Sequence, residues 1–246
     1  MKFWLIPLCC FLLLSAVSSA DEHNVDNSER ILLYTENYGN YNYSLNNRDF
    51  EHWRDDIGGT STEMVKAIMA DAGMEYRMRL RAWRVSYGRA LERPYHGVFS
   101  TARTEQRENL FHWIGPIADY NWIIFRYAGS NVEVNSIDDL RNLRVGGYDN
   151  SATTLFLQAQ GIQVSTLTND TLNPQRLARN QIDVWIASDV NAQALADEAG
   201  FPDIEPALVV RTVDMYLAMN PQTPAPLLQR LEQSYRNVLA QNGGTF

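Results

Sequence analysis

The chain has 246 residues and a formal net charge of −8, from 29 acidic residues against 21 Lys and Arg residues. An acidic chain that lacks a basic run argues against nucleic acid as a partner. Its length is enough for one large domain or for two lobes of roughly 100 residues each.

The first 20 residues have the pattern of a secretory signal peptide. Lys2 provides a positive n-region, residues 3–14 form a short apolar stretch, and residues 18–20 are small enough for cleavage. Read as a membrane anchor, the stretch is too short to span comfortably and lacks a basic flank. We therefore expect a signal peptide at residues 1–20 and export to the periplasm. Cleavage would remove Cys9 and Cys10, which excludes a thiol nucleophile or a cysteine metal site in the mature chain.

In the first half of the mature chain, strand and helix patterns alternate. The apolar run ILLYT (31–35) predicts a strand, and an Asn-, Gly- and Tyr-rich loop follows it. Residues 61–73 predict a helix, because apolar residues recur at helical spacing and Gly73 supplies a stop signal. The remaining predicted elements are a strand at 74–80, a helix at 83–92 and a strand at 96–101.

The second half repeats this alternation. Predicted helices at 136–143, 150–161, 173–181 and 191–200 alternate with predicted strands at 144–148, 162–168 and 182–188, before a strand at 213–220 and an amphipathic helix at 224–243. Such alternation indicates an α/β architecture with mainly parallel sheets. We therefore predict two α/β lobes and a ligand cleft beyond the carboxyl ends of the strands.

Three segments carry a resemblance to a known family. TENYGNYNY (35–43) follows the first strand, STARTEQRENLFHWIGPI (100–117) follows the third, and DDLRNLRVGGYDNSATTLFL (138–157) leads into the second half. In this order and spacing they resemble motifs of the amino-acid-type periplasmic solute-binding proteins, bacterial extracellular solute-binding family three. Gly39 and Asn40 stand where that family often has prolines.

The resemblance implies the type II periplasmic-binding-protein fold, an α/β protein of two lobes, each a mainly parallel sheet flanked by helices. It implies lobe 1 at residues 28–124, lobe 2 at 125–221, and a C-terminal helix at 222–246 that returns to lobe 1. The implied protein is a monomer without cofactor or metal that closes on a small, carboxylate-bearing, amino-acid-like solute. It would deliver this solute to an ABC-type permease in the inner membrane.

Arg107 is the central candidate. By composition alone, an Arg in a charged run is usually solvated, but the resemblance implies that Arg107 holds the carboxylate of a ligand. A planar guanidinium binds a carboxylate through two hydrogen bonds and keeps its charge. The resemblance also implies that backbone groups of Ser100 and Ala102 line the same pocket, while Arg103 and Glu105 point outward.

Asn150, Ser151 and Ala152 begin the predicted helix after the strand RVGGY. Free N–H groups and the helix dipole make such a start an anion site, although a plain N-cap would use the same residues. Tyr38 and Trp83 match positions where the family often stacks an aromatic ring on its ligand.

The acidic partners are less clearly predicted. Glu36, after the first strand, could accept a ligand ammonium or form a loop salt bridge. Ser188 stands where the family usually has the aspartate that holds the α-ammonium, and Asp189 comes one residue later. Either Asp189 compensates through a local bulge, because a shift of one residue sends a side chain to the other face, or the ammonium is held in another way.

Two other functions remain open. The four histidines have no metal spacing and no hydrolase or phosphate-loop motif occurs, but some relatives of this fold are cyclohexadienyl-type dehydratases. Catalysis would require an acid with a raised pKa over the substrate. A ligand-sensing role would require a separate membrane partner.

Overall fold

The computed structural model describes Met1 and residues 30–244. Apart from Met1, the predicted signal peptide, with Cys9 and Cys10, lies outside the described residues. The strands are β1 (Ile31–Thr35), β2 (Tyr43–Ser44), β3 (Ile57–Gly58), β4 (Tyr76–Leu80), β5 (His96–Ala102), β6 (His112–Tyr127), β7 (Val145–Tyr148), β8 (Val164–Leu167), β9 (Val184–Ser188) and β10 (Ile204–Met219). The helices are α1 (Thr60–Asp71), α2 (Trp83–Glu92), α3 (Ala152–Ala159), α4 (Leu172–Ala178), α5 (Ala192–Glu198) and α6 (Ala225–Gln241). Among these helices none is long and apolar enough to cross a membrane.

Eight strands form one continuous sheet in the order β4-β1-β5-β10-β6-β9-β7-β8. The three strands at one end (β4, β1 and β5) are parallel, as are the three at the other (β9, β7 and β8). We call the first group, with α1, α2 and α6, lobe 1, and the second group, with α3, α4 and α5, lobe 2. This mostly parallel sheet flanked by helices confirms the predicted α/β class. The lobe boundaries at residues 28–124, 125–221 and 222–246 are not tested by this and stay predictions.

Two antiparallel strands, β6 and β10, run through both lobes. Each has 16 residues, and they pair with each other from Ile204↔Tyr127 to Met219↔His112. The strand predicted at 213–220 matches the second half of β10, but its first half and the whole of β6 were not predicted. Pro116 within β6, a residue that usually excludes a central strand, and the polar Asp119 and Asn121 hide its pattern.

Each lobe buries apolar side chains on both faces of its part of the sheet. In lobe 1, Val65, Ile68 and Met69 of α1 are fully buried beside Leu231 of α6, as their helical spacing requires. On the opposite face lies α2, and its Ser86 hydroxyl donates to the Thr35 carbonyl at 2.9 Å. This hydrogen bond fixes the start of α2 at the carboxyl end of β1, beside the cleft.

Gly59, which precedes α1, gives a first testable prediction. Its φ is 117°, and a Cβ there would lie 2.2 Å from the Tyr41 carbonyl oxygen, so Gly59→Ala has neither a permitted conformation nor space. We expect it to lower the free energy of unfolding by more than about 2 kcal/mol. Gly88→Ala is the control, because no atom lies within 4 Å of its Cβ position. Equal urea-unfolding midpoints for the two variants would refute this account of the turn.

Candidate ligand-binding site

A cavity lies between the lobes, where the carboxyl ends of β1 and β5 face those of β7, β8 and β9. This is the edge at which ligands bind in open α/β sheets. The cavity volume is about 50 Å³. Its lining residues are Glu36, Tyr38, Trp83, Ser100, Ala102, Arg107, Tyr120, Tyr148, Ser151, Ala152, Thr153, Asp170, Ile186, Ala187, Ser188 and Asn191. All residues predicted from the sequence therefore line it, except Asn150 and Asp189.

Arg107 is a buried cation without an acidic partner. Only 2% of its surface is exposed, and the described residues include no carboxylate in an ion pair with it. Its guanidinium carbon lies 4.8 Å from the Tyr87 ring centroid and 5.4 Å from that of Trp83, which is cation–π distance. Burial lowers its pKa, and its Nε has no hydrogen-bond partner. A buried charge in this state is costly unless an anion pairs with it.

The start of α3 faces Arg107 from lobe 2. Asn150 has a φ of 57°, and its backbone carbonyl accepts hydrogen bonds from Arg107 Nη2 at 2.9 Å and from Trp83 Nε1 at 3.1 Å. These two bonds join the lobes. Asn150 thus contributes a backbone carbonyl to the site, rather than the N–H group of an anion-binding helix start that its sequence position predicts.

Ser151 caps α3, since its hydroxyl accepts a hydrogen bond from the Thr154 N–H at 3.2 Å. Within the described residues the next two backbone N–H groups, of Ala152 and Thr153, have no acceptor. They lie at the positive end of the helix dipole and beside the cavity. The N-cap and the free N–H groups that the sequence offered as alternatives are therefore both present.

Two carboxyl groups face the same cavity. Burial, reinforced by the charge of Asp170, raises the pKa of Glu36 to about 8, and Tyr148 donates a 3.4 Å hydrogen bond to it. Burial raises the pKa of Asp170 to about 6. Asp170 Oδ1 accepts hydrogen bonds from Asn173 at 2.8 Å and from Trp185 at 3.0 Å, whereas Oδ2 accepts no hydrogen bond from the described residues.

Asp170 was not predicted from the sequence as a site residue. It lies in the turn between β8 and α4, two residues before the first residue of that helix. An acid that follows a parallel strand and precedes a helix is a signal for this edge of the sheet, but one that ordinary helix starts share.

Ser188 lines the cavity, whereas Asp189 does not. The Ser188 hydroxyl donates to Asn191 Oδ1 at 2.6 Å. The Asp189 carboxylate instead accepts hydrogen bonds from the Asn121 backbone N–H at 3.0 Å and from its side chain at 2.7 Å. The β6–β9 ladder stays in register up to Trp122↔Ser188, so no bulge turns Asp189 inward. Asp170 is the acid that lobe 2 contributes.

Aromatic rings form the wall between these groups. Tyr38 lies edge-on to Tyr120 with ring centroids 5.9 Å apart, and burial raises the pKa of Tyr38 well above its usual value. Trp83 is buried against Tyr87 at 5.3 Å. Tyr120 was missed because its strand, β6, was not predicted.

The remaining predicted residues have clear positions. The Ser100 hydroxyl donates to Asn42 Oδ1 at 2.9 Å, and Ala102 is buried at the end of β5. Arg103 points outward, where its Nε donates to Glu108 at 2.8 Å. In the part of the chain that the structure describes, no group of three or more His, Cys, Asp or Glu side chains could hold a metal ion.

The raised pKa of Glu36 predicts a pH-dependent stability. Between the usual value of 4.5 and about 8, the folded protein keeps a proton that the unfolded chain has lost, so stability falls as pH rises through this window. The cost is at most about 1.4 kcal/mol per pH unit. We expect Glu36→Gln to unfold like the wild type near pH 4.5 and at higher urea concentration than the wild type at pH 8. Parallel stability curves for the two proteins would contradict this assignment.

Comparison with known proteins identifies the fold. No protein-family model matches the chain, and no curated protein sequence matches it. Solved structures do match. A histidine kinase sensor domain with similarity to periplasmic binding proteins has a TM-score of 0.73 at 18% identity, over 89% of this chain and 93% of that one.

Two other similar structures are of amino-acid binders. The arginine-, lysine-, histidine-binding protein ArtJ from Geobacillus stearothermophilus has a TM-score of 0.70 at 13% identity, over 87% of this chain and 91% of that one. The GluR0 ligand-binding core from Nostoc punctiforme, in complex with L-glutamate, has a TM-score of 0.66 at 18% identity, over 87% and 94%. The chain therefore has the type II periplasmic-binding-protein-like fold, which these ligand-binding and sensor proteins share.

Proposed function

We propose that this protein is a periplasmic solute-binding protein that closes on a small zwitterion, an amino-acid-like solute with a carboxylate, and passes it to an ABC-type permease. The observation that carries this proposal is Arg107, a buried cation without an acidic partner in a cleft that is also lined by two half-buried acids, Glu36 and Asp170. A ligand that brings a carboxylate and an ammonium satisfies both.

In this proposal the carboxylate binds between the lobes. The unpaired Nε of Arg107 donates from lobe 1, and the free N–H groups of Ala152 and Thr153 donate from lobe 2. The ammonium binds at Asp170, with Glu36 as a second acceptor. Contacts from both lobes to one ligand stabilise the closed form over the open one.

The net charge of Arg107, Asp170 and Glu36 determines which net charge of the ligand the site favours. With Glu36 protonated, Arg107 and Asp170 cancel, and a neutral zwitterion completes the site. With Glu36 ionised, the site is one negative charge in excess and favours an amino acid with a cationic side chain. Similar solved structures bind arginine, lysine and histidine or L-glutamate. The small cavity, about 50 Å³, requires the lobes to part further for a long side chain.

Thermal-shift screening tests this function, because a ligand that binds only the folded protein raises the Tm. Amino acids and organic acids should be screened at pH 7, and we expect amino acids to raise the Tm. N-terminal sequencing of the exported protein should give Asp21 as its first residue.

Closure of the lobes can be tested at Gly39, in the loop after β1. A Cβ at Gly39 would lie 2.6 Å from Val190 Cγ1 and 2.7 Å from the Val190 carbonyl oxygen of lobe 2. Gly39→Ala should therefore oppose closure and weaken ligand binding tenfold or more. Gly200→Ala is the matched control: its φ of 75°, like the 51° of Gly39, is left-handed, but no atom lies within 4 Å. The same affinity for both variants in calorimetry would exclude closure at this contact.

Catalysis is the second candidate, because Glu36 has the raised pKa that a dehydratase-like reaction would need. A protonated carboxyl in a closed cleft could donate to a leaving group. Incubation with prephenate or arogenate, followed by product absorbance, distinguishes the two functions. Turnover by the wild type that is lost in Glu36→Gln would favour the enzyme.

Sensing is the third candidate, favoured by the similarity to a histidine kinase sensor domain. Deletion of the gene should abolish uptake of the radiolabelled ligand if the protein serves a transporter. Unchanged uptake together with a lost transcriptional response would favour sensing.

A further inference from the structure

A second group of cations lies on lobe 1, away from the ligand cleft. Along β4 and the residue after it, Arg77, Arg79 and Arg81 alternate with Met78 and Leu80. The two apolar side chains are fully buried in the lobe 1 core. Because successive side chains of a strand point to opposite faces, the three arginines lie on the other face of the sheet, at its edge.

This edge of the sheet is open on the α2 side. Helix α2 packs mainly on β5 and β1, and its residues Val85 and Arg89 border the space beside Arg79 and Arg81. Two adjoining cavities of about 430 Å³ and 330 Å³ lie there, and they share Leu32, Arg93 and His96. We call them together the arginine cleft. Its arginines are Arg30, Arg77, Arg79, Arg81, Arg89 and Arg93.

Little negative charge balances these arginines. Among the described residues Arg89 forms an ion pair, with Glu92 at 3.6 Å, and Arg81 donates to backbone carbonyls and to His52. The other four have no ion pair with any described residue. The Nε of Arg79 is buried without a hydrogen-bond partner, which is costly for a polar group.

The net charge of the chain and the environment of His96 also indicate that the arginine cleft has an excess of positive charge. The chain as a whole carries a net charge of −8, whereas the arginine cleft is locally positive. Burial, with a contribution from Arg93 and Arg89, lowers the pKa of His96, which disfavours a further positive charge. Like charges that line one cleft repel one another, and an anion bound between them reduces this repulsion.

We propose that the arginine cleft binds an extended acidic segment of a partner protein. Its residues are all different from those of the ligand cavity, so this would be a separate site. Guanidinium groups bind carboxylates through paired hydrogen bonds. Arg77 and Arg81 are four residues apart on a strand, or about 13 Å, which is longer than one small anion and suits a chain with repeated carboxylates.

The shape of the cleft separates a peptide from other polyanions. A flat lipid surface does not enter a concave cleft, whereas a chain segment does. Leu32, Tyr34 and Val85 form an apolar part of the lining, and a peptide can cover this part with its own apolar atoms. Inorganic phosphates have no apolar atoms with which to cover it.

The test uses a fluorescein-labelled octaglutamate peptide and fluorescence anisotropy at low salt. The test variant is Arg77→Glu/Arg79→Glu, and the matched control is Arg230→Glu/Arg236→Glu, which makes the same charge change on exposed residues of α6 in the same lobe. We expect the wild type and the control to bind with Kd values within about threefold of each other. The test variant should bind at least tenfold more weakly.

A second variant covers the case in which the first does not fold, as judged by circular dichroism. Arg89→Ala/Arg93→Ala changes two exposed residues and should also weaken peptide binding about tenfold. Equal weakening in the control, or no peptide binding by the wild type, would overturn the proposal. Tripolyphosphate that binds more tightly than the peptide, or phosphatidylglycerol vesicles that bind where the peptide does not, would also overturn it.

Discussion

Replacing Arg107 by methionine should weaken ligand binding strongly without loss of stability. If Arg107 pairs with a buried carboxylate, its removal weakens binding by about 2–5 kcal/mol, or roughly 30- to 5,000-fold. The ligand-free protein should melt at the same or a higher temperature, because the variant removes a buried cation that has no acidic partner. Most substitutions of a buried residue destabilise the protein. Weaker ligand binding together with an unchanged or higher Tm is therefore specific to a cation that pairs with the anion of a ligand.

The matched control for this variant is Arg103→Met. Arg103 belongs to the same segment but points outward, pairs with Glu108 and is 40% exposed in its side chain. We expect calorimetry to show unchanged affinity for this control. If Arg107→Met instead binds normally, or melts well below the control, then Arg107 has a structural role and does not hold a ligand carboxylate.

Asp170→Asn should separate ammonium recognition from folding. Both protein donors to Asp170, Asn173 and Trp185, reach the single oxygen Oδ1, which an amide oxygen replaces well. The substitution changes only the other oxygen from an acceptor to a donor and removes a charge that burial disfavours. Stability should be unchanged or higher, and the affinity for an ammonium-bearing ligand should fall by about 2–4 kcal/mol.

The pH dependence gives an independent reading of the same group. In the wild type, protonation of Asp170 below its pKa of about 6 removes the acceptor charge, so affinity should fall as pH drops through this value. The Asp170→Asn variant should lack this step. Asp189→Asn serves as the control, because Asp189 lies outside the cavity. If Asp170→Asn binds the ligand as tightly as the wild type does, the ammonium binds at another residue.

Local patterns predicted the elements that carry their own signals. Helix α2 was predicted at its observed bounds, since Pro94 and the apolar spacing are both local. Strand β6 was not predicted, because a 16-residue strand that crosses two lobes is stabilised by pairing with β10 and β9 rather than by its own alternation. Pairing partners distant in sequence override such local signals.

The residues of the candidate site likewise fall into those that local sequence predicts and those that only the three-dimensional structure brings together. Arg107 and the start of α3 were found because a motif and a helix start are visible in the sequence, although the isolation of Arg107 from acids is visible only in three dimensions. Asp170 was missed because its turn meets the cleft only through the order of the strands. The hypothesis for Asp189 depended on a bulge, which a regular ladder with β6 removes.

The most direct test of the central claim is a calorimetric comparison of three ligands at pH 7. They are the tightest amino acid found by screening, its deaminated carboxylic acid and its decarboxylated amine. If, as proposed, Arg107 binds the carboxylate and Asp170 binds the ammonium, the amino acid binds and each truncated ligand binds at least about 100-fold more weakly. If either truncated ligand binds as tightly as the amino acid, the cleft does not recognise a zwitterion and the account is wrong.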